Sequence, residues 1–441
     1  MKPDLPTEIE TPPDARDFAV DVIRDVVWRR LALDERLERL SADSGYRALS
    51  PSDRGLTRAI ATVALRWLGI FRHTLGERLK QGIPASSGPL EPVLIAAIAQ
   101  ILVLDVPDYA AVDTAVERLR RDRRGGRYTG LANAVLRGIA RDRARILDSC
   151  DPLAINTPEW LAARWRSAFG EAAARAIAVA HLKEPPLDLS VRSDAAGWAE
   201  RLGGIVLPTG TVRLAGARAV TDLPGFSDGA WWVQDCAASL PAMLLGARAG
   251  ERVLDLCAAP GGKTAQLAVS GAQVTAVDRS APRMARLRDN LARLGLSADC
   301  HVGDAETFTA PVFERVLLDA PCSATGIIRR HPDVAWNKTL ADVATLADLQ
   351  SRLLDRAWTL LAPGGTLVFA TCSLEREEGE HQIAAFLSRT MQARLVSIAA
   401  EEIGGMAEMI TAEGYLRALP SHLAELGGCD GFFAARLVKS T

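Results

Sequence analysis

The feature that most constrains the fold is a repeated alternation of strand-like and helical segments from residue 251 onward. The strand-like runs are ERVLDL, QVTAVD, ADCHVGD, RVLLDA, GTLVFATC and FFAARLVK, and helical segments separate most of them. Such alternation is typical of a doubly wound, mostly parallel sheet with helices on both faces. In open sheets of this kind ligands bind beyond the carboxyl ends of the strands, so functional residues are expected directly after each strand.

The chain before residue 251 indicates two further regions. Residues 15 to about 148 place apolar residues at three-and-four spacing, which predicts an all-α bundle of five or more helices. The stretch from 185 to 245 mixes short strands with helices. The sequence therefore predicts an α/β protein with three domains: an all-α domain, a small α+β domain and the doubly wound domain, at 1–148, 149–245 and 246–441.

Composition excludes several function classes. With 48% apolar and 24% charged residues the chain is an ordinary globular protein, and its net charge of -2 gives no basic field of the kind that nucleic-acid binders show. The start, MKPDLPTEIETPPDARD, is acidic and contains proline, so we expect no signal peptide, no membrane span and a cytoplasmic location. Seven cysteines without a C-x-x-C pair argue against a disulfide framework or a zinc site, and no metal is expected.

One local patch departs from the neutral balance. Residues 118–127 hold six arginines against one aspartate. A run of this kind is compatible with a solvated helix end and equally with a seat for a phosphate backbone. Composition alone leaves the two interpretations open.

The loop CAAPGGKT at 257–264 follows the first strand of the doubly wound region. It matches a nucleoside-triphosphate loop at Gly262, Lys263 and Thr264, but Cys257 stands where the first glycine belongs. Pro260 also removes a backbone N–H that would cradle phosphate. A nicotinamide dinucleotide loop fits less well, because the first two glycines of G-x-G-x-x-G are missing.

Acidic residues follow the next strands. Asp278, which ends the second strand about 20 residues after the loop, stands where an acid can accept hydrogen bonds from ribose hydroxyls. Asp304 follows the third strand and Asp319 ends the fourth. These positions favour a nucleoside-bearing cofactor without a triphosphate, bound at its ribose by Asp278 and near its base by Asp304.

Four motifs in this order resemble a known family. DLCAAPGGKT, Val277-Asp278, DAPCSATG at 319–326 and ATCS at 370–373 are similar to those of the S-adenosylmethionine-dependent RNA cytosine-5 methyltransferases of the Sun/NOP2 type. The resemblance covers roughly residues 150–441 and implies a Rossmann-like class I methyltransferase domain. GLANAVLRG at 130–138 resembles the end of the NusB-like RNA-binding domain that some members carry.

The resemblance implies a cofactor, a substrate and roles for individual residues. Cys372 would be the nucleophile and Cys322 would assist product release. The cofactor would be S-adenosyl-L-methionine and the partner 16S ribosomal RNA, naked or in a partly assembled small subunit, with the protein acting as a monomer. The implied cofactor-binding residues are Cys257, Ala258, Ala259, Pro260, Gly261, Gly262, Lys263, Asp278, Asp304 and Asp319. The implied RNA-binding residues are Arg120, Arg121, Arg123, Arg124, Arg329 and Arg330.

Three alternatives to this interpretation stay open, and the sequence differs from the family's pattern at two places. The alternatives are methylation of tRNA or another rRNA, a non-catalytic antitermination-like RNA-binding factor, and a P-loop ATPase. Gly379 stands where many family members have asparagine, and the acidic segment 396–430 matches the family poorly. Neither difference involves Cys322 or Cys372.

Overall fold

The structure, a computed structural model, describes residues 14–216 and 219–441. Most of the acidic N-terminal stretch, on which the expected absence of a signal peptide rests, lies outside these residues. The described chain divides into two compact units, one formed by residues up to Ala162 with His331–Asn337, the other by Ala163–Arg330 with Lys338–Thr441. The three-domain boundaries stay a prediction.

The first unit is helical up to residue 148. Its first helix begins at a capping box, in which the Asp14 carboxylate accepts from the backbone N–H of Asp17 and the Asp17 carboxylate accepts from that of Asp14. The sixth helix is apolar on all sides, and nearly all of its side chains are buried. The helices are α1 Ala15–Arg29, α2 Leu33–Ser41, α3 Ser44–Ala48, α4 Pro51–Arg66, α5 Leu68–Arg78, α6 Leu90–Leu102, α7 Asp108–Arg120, α8 Thr129–Arg141 and α9 Arg143–Asp148.

Eight further helices follow in the described chain. The first of them is interrupted at Gly170, which has φ 82°. They are α10 Glu159–His181, α11 Ala195–Leu202, α12 Cys236–Leu245, α13 Gly262–Val269, α14 Ala281–Arg293, α15 Val334–Asn337, α16 Leu340–Thr359 and α17 Glu380–Arg389.

The short helix α15 belongs to the first unit although its sequence follows the Pro-Cys-Ser motif closely. The Trp336 indole donates to the carbonyl of Leu65 at 2.8 Å, and the Asn337 amide donates to that of Leu31 at 3.1 Å. These bonds connect residues some 300 positions apart in sequence, so no local pattern could have predicted them.

The second unit contains two sheets. The smaller is antiparallel, with the order β2-β3-β1-β4, and the larger has the order β10-β12-β9-β8-β5-β6-β7, with β11 paired to β12. The strands are β1 Leu187–Val191, β2 Ile205–Val206, β3 Val212–Leu214, β4 Trp231–Val233, β5 Arg252–Leu256, β6 Gln273–Asp278, β7 Asp299–Val302, β8 Phe313–Asp319, β9 Leu361–Thr371, β10 Ala393–Val396, β11 Leu416–Ala418 and β12 Phe432–Lys439.

The larger sheet confirms the predicted doubly wound α/β class. Strands β5 to β9 pair in parallel, and β12 joins β9 in the antiparallel sense. From β5 the chain proceeds outward through β6 and β7, then crosses to the other side of β5 for β8 and β9. This reversal of strand order lies between β5 and β8, and ligands bind at such a crevice.

The acidic segment 396–430, which matches the family poorly, contributes β11 and the arginine Arg417. The three residues of β11 are all buried, including Arg417, so no alternation of polar and apolar residues marks the strand. Among the described residues, no helix combines the length and the apolar character that crossing a membrane requires.

Candidate active site

The loop after β5 is held by backbone contacts to the end of β6. The N–H of Ala258 donates to the carbonyl of Val277 at 3.1 Å, and the N–H of Ala259 donates to Asp278 Oδ2, also at 3.1 Å. Cys257 takes a left-handed conformation with φ 61°, which few residues other than glycine adopt. The loop is therefore tied to the acid predicted to hold a ribose.

Gly261 is required where this loop turns into α13. Its φ of 101° is left-handed, and a Cβ there would lie 2.6 Å from Cγ of Leu287. The backbone consequently passes close to α14 and turns into the N-terminus of α13 within one residue. Glycine at this position serves loop geometry, and Pro260 precedes it without contributing an N–H.

The acids at the strand ends differ in exposure. Asp278 is buried, and its second oxygen accepts from the N–H of Ser280 at 2.8 Å. Asp304 is exposed and accepts from the N–H of Glu306 at 2.9 Å. Each carboxylate oxygen can accept more than one hydrogen bond, so both acids retain capacity for a ligand.

Asp255, in the middle of β5, carries a buried carboxyl group. It accepts from the hydroxyl of Thr264 at 2.6 Å. Burial raises its pKa to about 7, and the nearby carboxylate of Asp319 acts in the same direction. This pair joins the strand to α13 on either side of the loop.

Lys263 and Asp319 form an ion pair beside the loop. The lysine Nζ lies 2.8 Å from Asp319 Oδ2 and 4.9 Å from the centre of the Phe432 ring. The lysine is buried, whereas the aspartate is partly exposed. Lys263, predicted to be a cofactor-binding residue, thus has a carboxylate as its partner in this structure.

The two motif cysteines lie side by side. Strands β8 and β9 are neighbours, and Cys322 and Cys372 follow their carboxyl ends. The Sγ atoms are 3.4 Å apart, within hydrogen-bonding distance for a thiol pair. The backbone adds a direct tie, because the N–H of Gly326 donates to the carbonyl of Cys372 at 3.0 Å.

Two thiols of the site, Cys322 and Cys257, lie in surroundings that oppose their ionisation. The hydrogen bond to Cys372, followed by burial, raises the pKa of Cys322 well above its ordinary value. Burial likewise raises the pKa of Cys257, so that thiol stays neutral and packs as a small apolar group.

Two residues near the thiols were missed by the sequence interpretation. Glu378 is fully buried and accepts hydrogen bonds from the residues that follow each cysteine, and Gln350 of α16 donates to it at 3.1 Å. The only sequence signal is a pair of glutamates in SLEREEG, and nothing there distinguishes Glu378 from Glu377.

The four arginines of the first unit that were predicted to bind RNA lie at the surface. Arg120 is paired with Glu117, and Arg121 lies 3.2 Å from Asp17. Arg123 and Arg124 are exposed, and within 14–216 and 219–441 the structure records no acidic partner for either. Of the four arginines predicted to contact RNA here, these two are the available cations.

Arg329 and Arg330 require a correction. The sequence interpretation placed them at a loop facing RNA, but Arg329 is 1% exposed. Arg330 lies 2.7 Å from Asp235 and 2.7 Å from Asp430, both buried. The buried Arg329 is therefore not presented to a phosphate backbone, whereas Arg330 is partly exposed and is already paired with two carboxylates.

A possible metal-binding group lies in the same region. Asp188, Asp235 and Cys236 are close enough to share an ion. However, the Arg213 guanidinium makes two bonds of 2.7 Å to Asp188, and Arg330 pairs with Asp235. Arginines thus supply the positive charge that these acids need.

Comparison with known proteins gives consistent matches over both units. The family described as 16S rRNA methyltransferase RsmB/F matches residues 242–438, and the NusB family matches residues 13–141. The ribosomal RNA small subunit methyltransferase B of Pseudomonas syringae pv. tomato is 38% identical over 410 residues, covering 88% of this chain and 89% of that protein.

Solved structures agree with this result. The crystal structure of PH0851 has a TM-score of 0.73 and covers 98% of this chain and 100% of that chain, a likeness in fold at 23% identity. A methyltransferase homolog protein from Pyrococcus horikoshii is 28% identical with a TM-score of 0.53, covering 64% of this chain and 95% of that chain.

The doubly wound sheet, its loop at the switch point and these likenesses define the protein as a methyltransferase. The chain belongs to the RsmB/F family of 16S rRNA methyltransferases and carries a NusB-family region before the methyltransferase domain. This membership decides against the P-loop ATPase and the non-catalytic RNA-binding factor.

Proposed function

We propose that the protein transfers a methyl group from S-adenosyl-L-methionine to C5 of a cytosine in 16S ribosomal RNA, through a covalent bond between Cys372 and C6. The observation that carries this proposal is the 3.4 Å approach of Cys322 and Cys372 at the ends of neighbouring strands. The name of the Pseudomonas syringae relative supports the substrate.

Two sulfur atoms fit the chemistry of this reaction. C5 of cytosine is a weak nucleophile, and addition of the Cys372 thiolate to C6 makes C5 electron-rich. The cofactor supplies an electrophilic methyl group to C5. The C5 proton must then leave to a base, after which the C6–S bond breaks and the Cys372 thiolate is restored.

The position of Cys322 beside Cys372 suits it to the second half of this reaction. While Cys372 is a thiolate, a protonated Cys322 at 3.4 Å can donate a hydrogen bond to it. Once Cys372 is bonded to C6, it no longer carries the negative charge that holds this proton. Cys322 can then release its proton to solvent and, as a thiolate, accept the C5 proton, directly or through a relay.

The loop and the strand ends fit a nucleoside-bearing methyl donor. Glycine at 261 lets the backbone pass close to α14 into a helix N-terminus, and Asp278 and Asp304 stand at the ends of the next two strands. In this assignment Cys257–Lys263 and Asp278 surround the cofactor, and Asp304 lies near its base. Asp319, paired with Lys263, can accept a hydrogen bond from the cytosine amino group.

RNA binding is assigned to the exposed arginines of the first unit. Arg123 and Arg124 can contact phosphates, with Arg120 and Arg121 able to join after exchanging their acidic partners. A cytosine must leave its stack to meet two sulfur atoms, so the substrate is a loop or bulge in naked or partly assembled 16S rRNA.

The test uses the full chain, a 16S rRNA transcript and S-adenosyl-L-methionine. Cys322→Ala should accumulate a protein–RNA adduct on a denaturing gel, because the methylated base cannot be released. Cys372→Ala should form no adduct and no methylated product. Cys300→Ala, which removes a partly buried cysteine of β7, is the matched control and should behave as wild type.

Two outcomes would contradict the proposal. Methyl transfer that survives in Cys372→Ala would remove the covalent step. Adduct formation by Cys322→Ala with a tRNA transcript, but not with 16S rRNA, would keep the chemistry and reassign the substrate.

A further inference from the structure

A single buried carboxylate joins the two loops that carry the thiols. Glu378 has no exposed surface, and its Oε1 accepts from the backbone N–H of Ser323 at 2.8 Å. Its Oε2 accepts from the hydroxyl of Ser373 at 2.5 Å and from the hydroxyl of Ser323. Ser323 follows Cys322 and Ser373 follows Cys372, so one side chain bridges the neighbours of both sulfur atoms.

The bridge is anchored to a helix as well. Gln350 of α16 donates both to Glu378 at 3.1 Å and to the carbonyl of Pro321, the residue before Cys322, at 2.9 Å. The two serine hydroxyls are themselves 3.1 Å apart. A buried carboxylate with four donors is well satisfied, and such networks fix side chains in one arrangement.

The loop of Cys372 is also held from its other side by Arg417. This guanidinium donates to the carbonyl of Ser373 at 2.6 Å, pairs with Glu380 and lies 4.8 Å from the centre of the Phe433 ring. It reaches that carbonyl past Gly379, where a Cβ would lie 2.6 Å from Arg417 Nη2 and 3.0 Å from Phe433. The glycine thus admits an arginine that completes the enclosure of Ser373.

We propose that Glu378 is a positioning residue that sets the separation of Cys322 and Cys372 through Ser323 and Ser373. This inference rests on the proposed function for its catalytic meaning. Passing from the attack of one sulfur atom to proton removal by the other requires both within reach of one cytosine ring, and displacement by an ångström has large kinetic cost. Glu378 acts through the two serines, and its carboxylate is not itself a reacting group.

The rate at which a disulfide forms between Cys322 and Cys372 depends on the separation of their sulfur atoms. It can be measured without RNA or S-adenosyl-L-methionine. With oxidised glutathione, the Cys372 thiolate forms a mixed disulfide and releases one glutathione. Cys322 then attacks that mixed disulfide and releases the second glutathione, leaving Cys322 and Cys372 joined. Mass spectrometry of the joined peptides gives the closure rate.

The variants are Glu378→Gln and Ser373→Ala. A carboxamide has one acceptor atom and cannot serve all four donors, and Ser373→Ala removes the hydroxyl tie while leaving the carboxylate in place. Both should slow closure at least fivefold. Both should also lower the single-turnover rate of methyl transfer by a similar factor, with the KM values for RNA and methyl donor within twofold of wild type.

Glu375→Gln is the matched control. Glu375 is a buried glutamate of the same loop, but its carboxylate pairs with Arg164. It should leave closure within twofold of wild type. Closure within twofold of wild type in both Glu378→Gln and Ser373→Ala would overturn the positioning role. Slowed closure with unchanged methyl transfer would support that role and overturn the proposed two-thiol chemistry instead.

Discussion

Two groups of arginines that look alike in sequence have opposite environments in the structure. Arg123 and Arg124 of the first unit are exposed. The enclosed group of the second unit consists of the buried Arg329 and of Arg330, which is partly exposed but pairs with the buried Asp235 and Asp430. Both groups occur in short basic runs next to recognisable motifs. The difference teaches that a basic run identifies positive charge, while long-range partners decide whether that charge is available to RNA.

The partners of the enclosed group come from distant parts of the chain. Asp235 is the N-cap of α12, and Asp430 lies in the segment leading to β12. The N–H of Asp430 also donates to Asp235 at 3.1 Å, which brings the two carboxylates together. Burial and the neighbouring Asp235 raise the pKa of Asp430 to about 6, so the acids depend on nearby guanidinium groups.

The two groups are compared most directly by removing one arginine from each and measuring the free energy of unfolding. Arg330→Ala leaves two buried carboxylates without their 2.7 Å partner, and breaking a buried pair costs about 3–5 kcal/mol. The low end of that range is expected, because Arg329 Nη2 remains 3.6 Å from Asp430. Urea denaturation at pH 7 measures the loss of unfolding free energy.

Arg123→Ala is the control for that measurement. An exposed residue without an ion pair should change the free energy of unfolding by no more than about 0.5 kcal/mol. Equal effects of Arg330→Ala and Arg123→Ala would mean that the enclosed pair contributes nothing to stability, and the contrast between the two groups would fail.

Arg417 is another buried arginine with an acidic partner, Glu380. Substitution of the neighbouring Gly379 is a way to disturb Arg417. Gly379→Asn introduces a side chain whose Cβ would crowd Arg417 and Phe433. Overpacking of this kind costs about 1–3 kcal/mol. Thermal unfolding should show a lower Tm, and methyl transfer should slow because Arg417 donates to the carbonyl of Ser373.

A second substitution checks the cause. Arg417→Ala makes room for the asparagine, so Gly379→Asn should cost less in that background than in wild type. If the two substitutions add without coupling, the crowding of Arg417 is not the reason for the loss.

The sequence predicted those parts of the site that depend on strand order. The motifs place Cys322 and Cys372 directly after two strands of the predicted sheet, and in the structure those strands, β8 and β9, are neighbours. Asp278 could be predicted to lie near the loop for the same reason. Sheet topology brings strand ends together over any sequence distance.

Side-chain partners could not be predicted in this way. Glu378 accepts a hydrogen bond from Ser323, which is 55 residues away in sequence, and Arg330 donates one to Asp430, which is 100 residues away. No periodicity selects Glu378 over the adjacent Glu377, which is partly exposed and pairs with Arg164. The short strand β11 was missed because its three residues are all buried and show no alternation.

The smallest expected effect belongs to the exposed arginines and concerns RNA affinity. Arg123→Ala combined with Arg124→Ala removes two cations that can neutralise phosphates. The affinity for a 16S rRNA transcript should fall about tenfold at low salt, which corresponds to about 1.4 kcal/mol. The slope of log affinity against log salt should decrease by roughly 1.5, since each lost phosphate contact contributes about 0.7 to 0.9.

Filter binding at several salt concentrations measures both quantities, with Arg394→Ala as the control. Arg394 is an exposed arginine of β10 in the second unit, and its loss should leave the salt slope unchanged. A change in slope for Arg394→Ala as large as that for the double variant would mean that RNA senses positive charge over the whole surface. An unchanged slope in the double variant would mean that Arg123 and Arg124 are solvated charges, and the exposed group would then contact RNA no more than the enclosed one.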